Sequence, residues 1–386
     1  MNLKPFASAM IPILSILVGC SHEYPLQDPE IPESSKIHSM ISGFYQKVHK
    51  ASRAESDGFS IRDIETHHYV SSDSSKTRVE GDSVGEPFEM HTVTLDFGDT
   101  SGYAILSDTP GIDRIFYYTE EGCIGDTATI APLKHMVETF PQLANIILNG
   151  EDRTDRSQDS GTRADLDIDP LVRFKWHQGW PFNFYATYCT CDNCRTRKNH
   201  KLAGCVTVAL AQTIATVKIF RGSFYGNRSI NFDALPGNTD CILIDSDTEL
   251  TFGHFFQEIA LNCQSKYGCE GTFSNLYAAT NYMRDIGYLA DHIRGGLDKE
   301  RFITYLQLGL PHIMGGQSDT GGHCWILDGI KQNGTSGLYH VNWGWGPNKS
   351  NGWSNECYYY DYYDKYGDCI TSIYHKNTEH LYIDRP

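Results

Sequence analysis

The segment from Lys201 to Phe220 constrains the fold more tightly than any other. After Gly204-Cys205, the positions Val206, Ala209, Leu210, Thr213, Ile214 and Val217 recur at three- and four-residue steps, the period of a helix with one buried face. Gly204 suits a tight, close-packed turn into that helix, so Cys205 falls in its first turn. A thiol there meets unpaired backbone N–H groups and the positive end of the helix dipole, which favour thiolate. Two readings follow: a nucleophile for covalent catalysis, or a small buried residue packing a helix end.

The rest of the chain bears on that choice. Residues 1–170 hold 13 Lys/Arg against 28 Asp/Glu, while residues 171–386 hold 19 against 20, so the acidity belongs to the N-terminal part. Neither part has the basic stripe that phosphate binding requires, which argues against nucleic acid as a partner. Residues 1–20 have the pattern of an export signal: Lys4, then an apolar run from Ala9 to Val18 too short for an ordinary transmembrane span. The run ends Leu17-Val18-Gly19-Cys20, which resembles a bacterial lipobox; that resemblance implies cleavage before Cys20, lipid on its sulfur and a cell-envelope location. An ordinary secretory signal with an incidental cysteine is the other reading, and both take the protein out of the cytoplasm.

In an oxidising compartment, the 12 cysteines point to disulfides. Ten lie from Cys189 onward; with Cys205 set aside an odd number remains, so at least one more is free or paired outside this region. Cys189, Cys191 and Cys194, with His200 nearby, have the composition of a zinc site lacking a fourth cysteine, and disulfides are the favoured reading. Cys263 and Cys269 are expected to staple a helical connection.

Residues 21–33 read as a tether. Residues 34–150 read as a small α+β domain: a helix from Ser34 with the stripe Ile37, Met40, Ile41, Phe44 and Val48, a hairpin formed by 91–97 and 102–107, and a helix from Ile130 to Leu148 that Pro141 breaks or kinks. Residues 51–86 are polar and weakly patterned. The polar stretch 151–168, with three arginines, is either a plain linker or a processing site. The second domain, 169–386, opens with Val172-Arg-Phe-Lys-Trp176 and Gln178. The amide of Gln178 suits donation to an oxyanion beside the backbone N–H of Cys205, or else the residue only shapes the turn before Pro181. Helices are expected over 252–259, 272–286 and 297–308. Gly315–Gly322, with four glycines, reads as a mobile loop, either a lid or a flexible connection.

His323 heads an apolar strand, and Leu338 to Gly346 forms a second one across the turn at 332–337. That hairpin brings His323 to the same end as Asn342 and Trp343, where an Asn carbonyl would fix the imidazole tautomer and a tryptophan would shield the bond. Cys324 points to the face opposite His323 and is the expected free structural thiol, while His340 reads as packing.

Ala203-Gly-Cys205-Val with Ala211-Gln212, Gly321-Gly-His323 with Leu327-Asp-Gly329, and Tyr339-His-Val-Asn-Trp-Gly-Trp-Gly346 resemble streptopain and its relatives across most of residues 171–355. The resemblance implies an α+β fold: a papain-like cysteine peptidase domain preceded by a small α+β propeptide domain that inhibits until removed. It places the nucleophile on Cys205, the base on His323, the oxyanion donor on Gln178 and the supporting pair on Asn342 and Trp343. It implies protein or peptide substrates, an apolar preference just before the cleaved residue, and neither metal nor cofactor. The cysteine-rich insert at 189–194 departs from that pattern. Two other readings share these residues: an amidase or acyl transferase acting on cell-wall peptides, and a surface binding protein of the same fold without catalysis.

Overall fold

The computed structural model describes residues 36–50, 58–71, 86–128, 131–148, 166–191, 199–218, 230–238, 245–269, 271–295, 297–318, 321–333, 336–354, 362–363, 369–371 and 376–385. The expected signal, the tether and the linker segment 151–165 lie outside these residues. No described helix is long and apolar enough to cross a membrane.

In chain order the elements are α1 (Lys36–His49), β1 (Ser60–Val70), β2 (Pro87–Asp96), β3 (Ser101–Ser107), β4 (Arg114–Thr119), α2 (Ala131–Leu148), β5 (Leu166–Ile168), α3 (Cys205–Val217), α4 (Ser246–Asn262), β6 (Lys266–Tyr267), β7 (Thr272–Phe273), α5 (Leu276–Asp285), β8 (Leu289–Arg294), α6 (Lys299–Gln307), β9 (His312–Ser318), β10 (Gly321–Asn333), β11 (Ser336–Asn342), β12 (Gly352–Ser354), β13 (Tyr362–Tyr363), β14 (Cys369–Thr371) and β15 (Lys376–Asp384). One antiparallel sheet runs β1-β2-β3-β4-β12-β11-β10-β9-β15-β8, and β5 pairs with the far end of β10. The N-terminal meander and the C-terminal sheet therefore share a ladder, through Trp353 opposite Tyr118 and Ser354 opposite Tyr117.

Side-chain alternation sorts the core into layers. Ile313, Cys324 and Ile326 face α3, α4 and α5 in one apolar cluster with Phe174, Trp176 and Phe182. Met314, Trp325, Leu327, Val341 and Trp343 face the other way, into a cluster that also takes Phe140 of α2, Phe302 of α6 and Tyr103, Ile105 and Tyr117 of the meander. The second cluster is common to both halves of the chain. A third joins Ile37, Ile41 and Phe44 of α1 to Val93, Leu95, Tyr118 and Trp353. Helix starts follow capping chemistry: the side chains of Asp245, Asn275 and Asp298 accept backbone N–H groups at the heads of α4, α5 and α6.

Several expectations change. The weakly patterned stretch 51–86 contains β1, an edge strand whose largely exposed face leaves no apolar alternation to read. Most of the expected loop Gly315–Gly322 is strand, because His323 pairs with Gly316 and Cys324 with Gly315, and β15 flanks β9 on the other side. Leu166–Ile168, assigned from sequence to the end of the linker, pairs with Ile330–Gln332. Thr272–Phe273 is strand, and the helix there starts only at Leu276 behind its Asn275 cap. Cys269 bonds Cys191 rather than Cys263, across a Cα–Cα distance of 6.0 Å, and Cys263 is a buried free thiol. Cys189 is also disulfide-bonded and His200 Nδ1 meets the Ala186 carbonyl, so Cys189 and Cys191 serve cross-linking rather than zinc, while Cys194 lies outside the described residues.

Candidate active site

Cys205 opens α3, as the apolar period requires, behind Gly204 at φ +100°. That left-handed backbone is open to glycine and strained for other residues. Space is short as well: a Cβ on Gly204 would stand 3.0 Å from Thr272 Cγ2. Thr272 Oγ1 donates to the Leu202 carbonyl at 2.6 Å and Lys201 Nζ donates to the Tyr267 carbonyl at 3.2 Å, so the β6–β7 ribbon braces the approach to the nucleophile. The Cys191–Cys269 bond ties the same ribbon to the insert.

The sulfur of Cys205 lies within reach of the backbone N–H groups of Cys324 and Val206. Cys324 is the residue after His323, so the head of α3 and the base-bearing end of β10 meet here. Burial pushes the Cys205 thiol up, and those N–H groups oppose the shift without cancelling it. The ready thiolate expected from the helix terminus is not favoured here, because desolvation outweighs the terminal N–H groups.

His323 is buried beside three indoles, Trp345 at 5.8 Å, Trp325 at 6.1 Å and Trp343 at 6.4 Å between ring centroids. Its Nε2 lies 2.9 Å from the Trp343 carbonyl. A carbonyl only accepts, so Nε2 carries the proton and Nδ1 keeps its lone pair. Burial lowers the imidazole to about 4, with the Trp343 carbonyl pulling the other way. Among the described residues no hydrogen bond joins the Cys205 sulfur to the His323 ring. Burial thus favours the uncharged form of each group, thiol and imidazole.

The expected orienting role of Asn342 is not what this geometry shows. Its Nδ2 donates to the Phe174 carbonyl at 3.0 Å and to Gln212 Oε1 at 3.2 Å, while its Oδ1 accepts from Gly344 N at 3.0 Å. Asn342 thus fixes the strand from which the Trp343 carbonyl projects, and that carbonyl orients the ring. The Trp343 indole is buried and donates to Tyr117 Oη at 3.2 Å, a contact with the N-terminal meander. Gln178 is buried; its carbonyl accepts from Ala203 N at 2.8 Å, two residues ahead of Cys205. Gln212, part of the sequence motif around Cys205, has a role that the motif alone did not assign. Its Oε1 also accepts from Trp176 N at 3.2 Å, and its position seven residues after Cys205, on the same helix face, was the available signal. The expectation for His340 also changes: its Nδ1 lies 2.6 Å from Asp328 Oδ1.

The buried histidines set an acid limit. His323 and His380, both lowered to about 4 chiefly by burial, stay neutral in the fold but take protons near 6.5 once unfolded. The unfolded chain binds more protons between these values, so this stability is complete above pH ~6.5 and drains as pH falls toward ~4, by up to ~3 kcal/mol per ring. The urea midpoint is expected to drop between pH 7 and pH 5, and to drop less steeply in His380→Asn. A midpoint unchanged across that range would refute the linkage.

Residues 176–358 match the family model described as the Peptidase C10 family. No curated protein matches the chain. Among solved structures, a prointerpain A fragment from Prevotella intermedia shares 17% identity at a TM-score of 0.53, covering 76% of this chain and 94% of its own. Active wild-type interpain A cysteine protease of the same organism shares 18% identity at a TM-score of 0.42, covering 56% of this chain and 94% of its own. The first supports the papain-like α+β fold over about three quarters of the chain. The family match spans Cys205, His323 and the Asn342-Trp343 pair, so residues 176–358 form a cysteine-type peptidase region similar to the C10, or streptopain, family.

Proposed function

We propose that the chain is an exported cysteine endopeptidase made as a zymogen, anchored through lipid on Cys20, with residues 34–150 as its inhibitory propeptide. The observation that carries the enzymatic part is the meeting of the Cys205 sulfur with the Cys324 N–H, beside an imidazole whose tautomer is set by the Trp343 carbonyl. Nδ1 of His323 takes the thiol proton. The thiolate attacks the scissile carbonyl, and the Cys205 N–H with the Gln178 amide stabilises the oxyanion. The imidazolium returns its proton to the leaving amine, and water activated by the same ring releases the acyl-enzyme.

Latency agrees with burial favouring the uncharged forms and with the contacts around the pair. Tyr117 bonds both the Trp343 indole and the Ser350 carbonyl, Glu121 bonds Lys175 and Asn351, and Asp126 bonds Lys349, so the N-terminal part grips the loop that follows Trp343. Removing it frees that loop and lets water to the thiol, which favours the ion pair. Processing belongs before Leu166, since β5 is paired into the C-terminal sheet. Incubating the purified full chain and mapping its new termini by mass spectrometry is expected to place them between residues 150 and 165, with none in a Cys205→Ala control. Termini downstream of Ile168, or identical cleavage in the control, would contradict self-processing at this linker.

A further inference from the structure

The meander carries a constellation that the peptidase chemistry does not use. We propose that Glu89, His91 and Asp108 form a divalent transition-metal site of the nitrogen–oxygen type that zinc adopts, with the exposed His68 ring holding Glu89 from outside the donor set. Glu89 and His91 lie two apart on β2 and so project from the same face. The β1–β2 register sets His68 opposite Glu89, and the β2–β3 register sets His91 opposite Leu106, which carries Asp108 alongside Glu89. One donor atom from each of Glu89, His91 and Asp108 lies within 4.8 Å of the others. The His91 Nε2–Asp108 Oδ1 separation is 3.0 Å and the His68 Nδ1–Glu89 Oε1 separation is 3.1 Å. Ligand atoms ~2.1 Å from a tetrahedral ion stand ~3.4 Å apart, so small side-chain shifts open room for the ion.

Three further features separate this cluster from an ordinary patch of acid groups. His91 is 4% exposed, so its imidazole is held rather than free to reorient in water. Its Nδ1 lies 3.0 Å from Thr66 Oγ1. A hydroxyl both donates and accepts, so Thr66 serves the tautomer with its proton on Nε2, bonded to Asp108, and equally the Nδ1–H tautomer that frees Nε2 for a metal. The backbone is also braced: Glu89 N donates to Thr109 Oγ1 at 3.0 Å, and Ser107 Oγ donates to the Glu89 carbonyl at 2.5 Å, which fixes Asp108 against Glu89. Two carboxylates match a divalent charge. The Lys36 ammonium sits on the Asp108 backbone carbonyl and 3.9 Å from Asp113, leaving the Asp108 carboxylate to face His91. An ion here would stitch edge strand β1 to β2 and to the end of β3, a junction that buries little apolar surface on β1.

The test uses the full chain as Cys205→Ala, treated with EDTA and then titrated with Zn²⁺ by calorimetry, with Co²⁺ as a spectroscopic stand-in. One equivalent should bind, the Co²⁺ spectrum should lack thiolate charge-transfer bands, and the melting temperature should rise. Asp108→Asn should weaken binding by ~100-fold and exposed His68→Ala by ~10-fold, with circular dichroism unchanged in both. Absence of binding at submillimolar Zn²⁺, thiolate bands in the Co²⁺ complex, or equal affinity in folded Asp108→Asn and His68→Ala would overturn the site and leave a hydrogen-bonded network.

Discussion

Once each variant has been cut in the 151–165 linker by an added protease that is then removed, Cys205→Ala is expected to abolish hydrolysis of denatured casein, lowering kcat by on the order of 10⁴–10⁶-fold, with His323→Ala equally severe. The two groups act as one unit, so the double variant should be no worse than either single one. Asn342→Ala makes the sharper contrast. Its side chain bonds Phe174, Gln212 and Gly344 but not the imidazole, so the Trp343 carbonyl still orients His323. A fall of only ~10-fold is expected, accompanied by a stability loss of ~1–3 kcal/mol from the vacated hydrogen bonds. Trp343→Phe keeps the carbonyl and should retain measurable turnover. If Asn342→Ala were as dead as His323→Ala while remaining folded, the backbone-oriented imidazole would be the wrong account of this site.

The difference between those residues also shows what a sequence can reveal. Cys205 and His323 were legible because each sits at a patterned junction, the head of a 3.6-period helix and the head of an apolar strand. The hairpin between His323 and Trp343 was legible from its turn chemistry. What oriented the ring was not, since every residue has a carbonyl and only the register of β10 with β11 decides which one arrives. The same holds for the glycine-rich Gly315–Gly322 stretch: its local composition reads as a loop, and pairing with β15, some sixty residues onward, makes β9 a strand. Cys269 met Cys191 across 78 residues of chain, a choice that spacing leaves open. Burial, too, is a property of the fold. The helix terminus that favours a Cys205 thiolate was readable, and the desolvation that overrides it was not.

Lys331 places the same lesson on the stability side and bears on where the proposed processing cut falls. Its side chain is fully buried, with Nζ bonded to Asp167 and, at 2.5 Å, to Asp169. Lys331 and Lys50 together hold the Asp169 carboxyl below its usual range. Lys50 comes from the end of α1, so one acidic pair serves a cation from each half of the chain. Asp167→Asn with Asp169→Asn leaves a buried ammonium without counter-charge, which costs ~3–5 kcal/mol where the pair is wholly enclosed. Both carboxylates are about half exposed, at 44% and 57%, so screening lowers the expected loss to ~2–3 kcal/mol in urea unfolding. Adding Lys331→Met to that double variant removes the stranded charge and should restore most of the loss, because an unbranched apolar chain fills the same space beside Trp353. Lys50→Met should leave the urea midpoint nearly unchanged, its ammonium being exposed. If the double variant were as stable as the parent, Asp167 and Asp169 would not be the counter-ions of Lys331. A processing cut beyond Asp169 would then carry no penalty, and the proposed cut before Leu166 would lose this support.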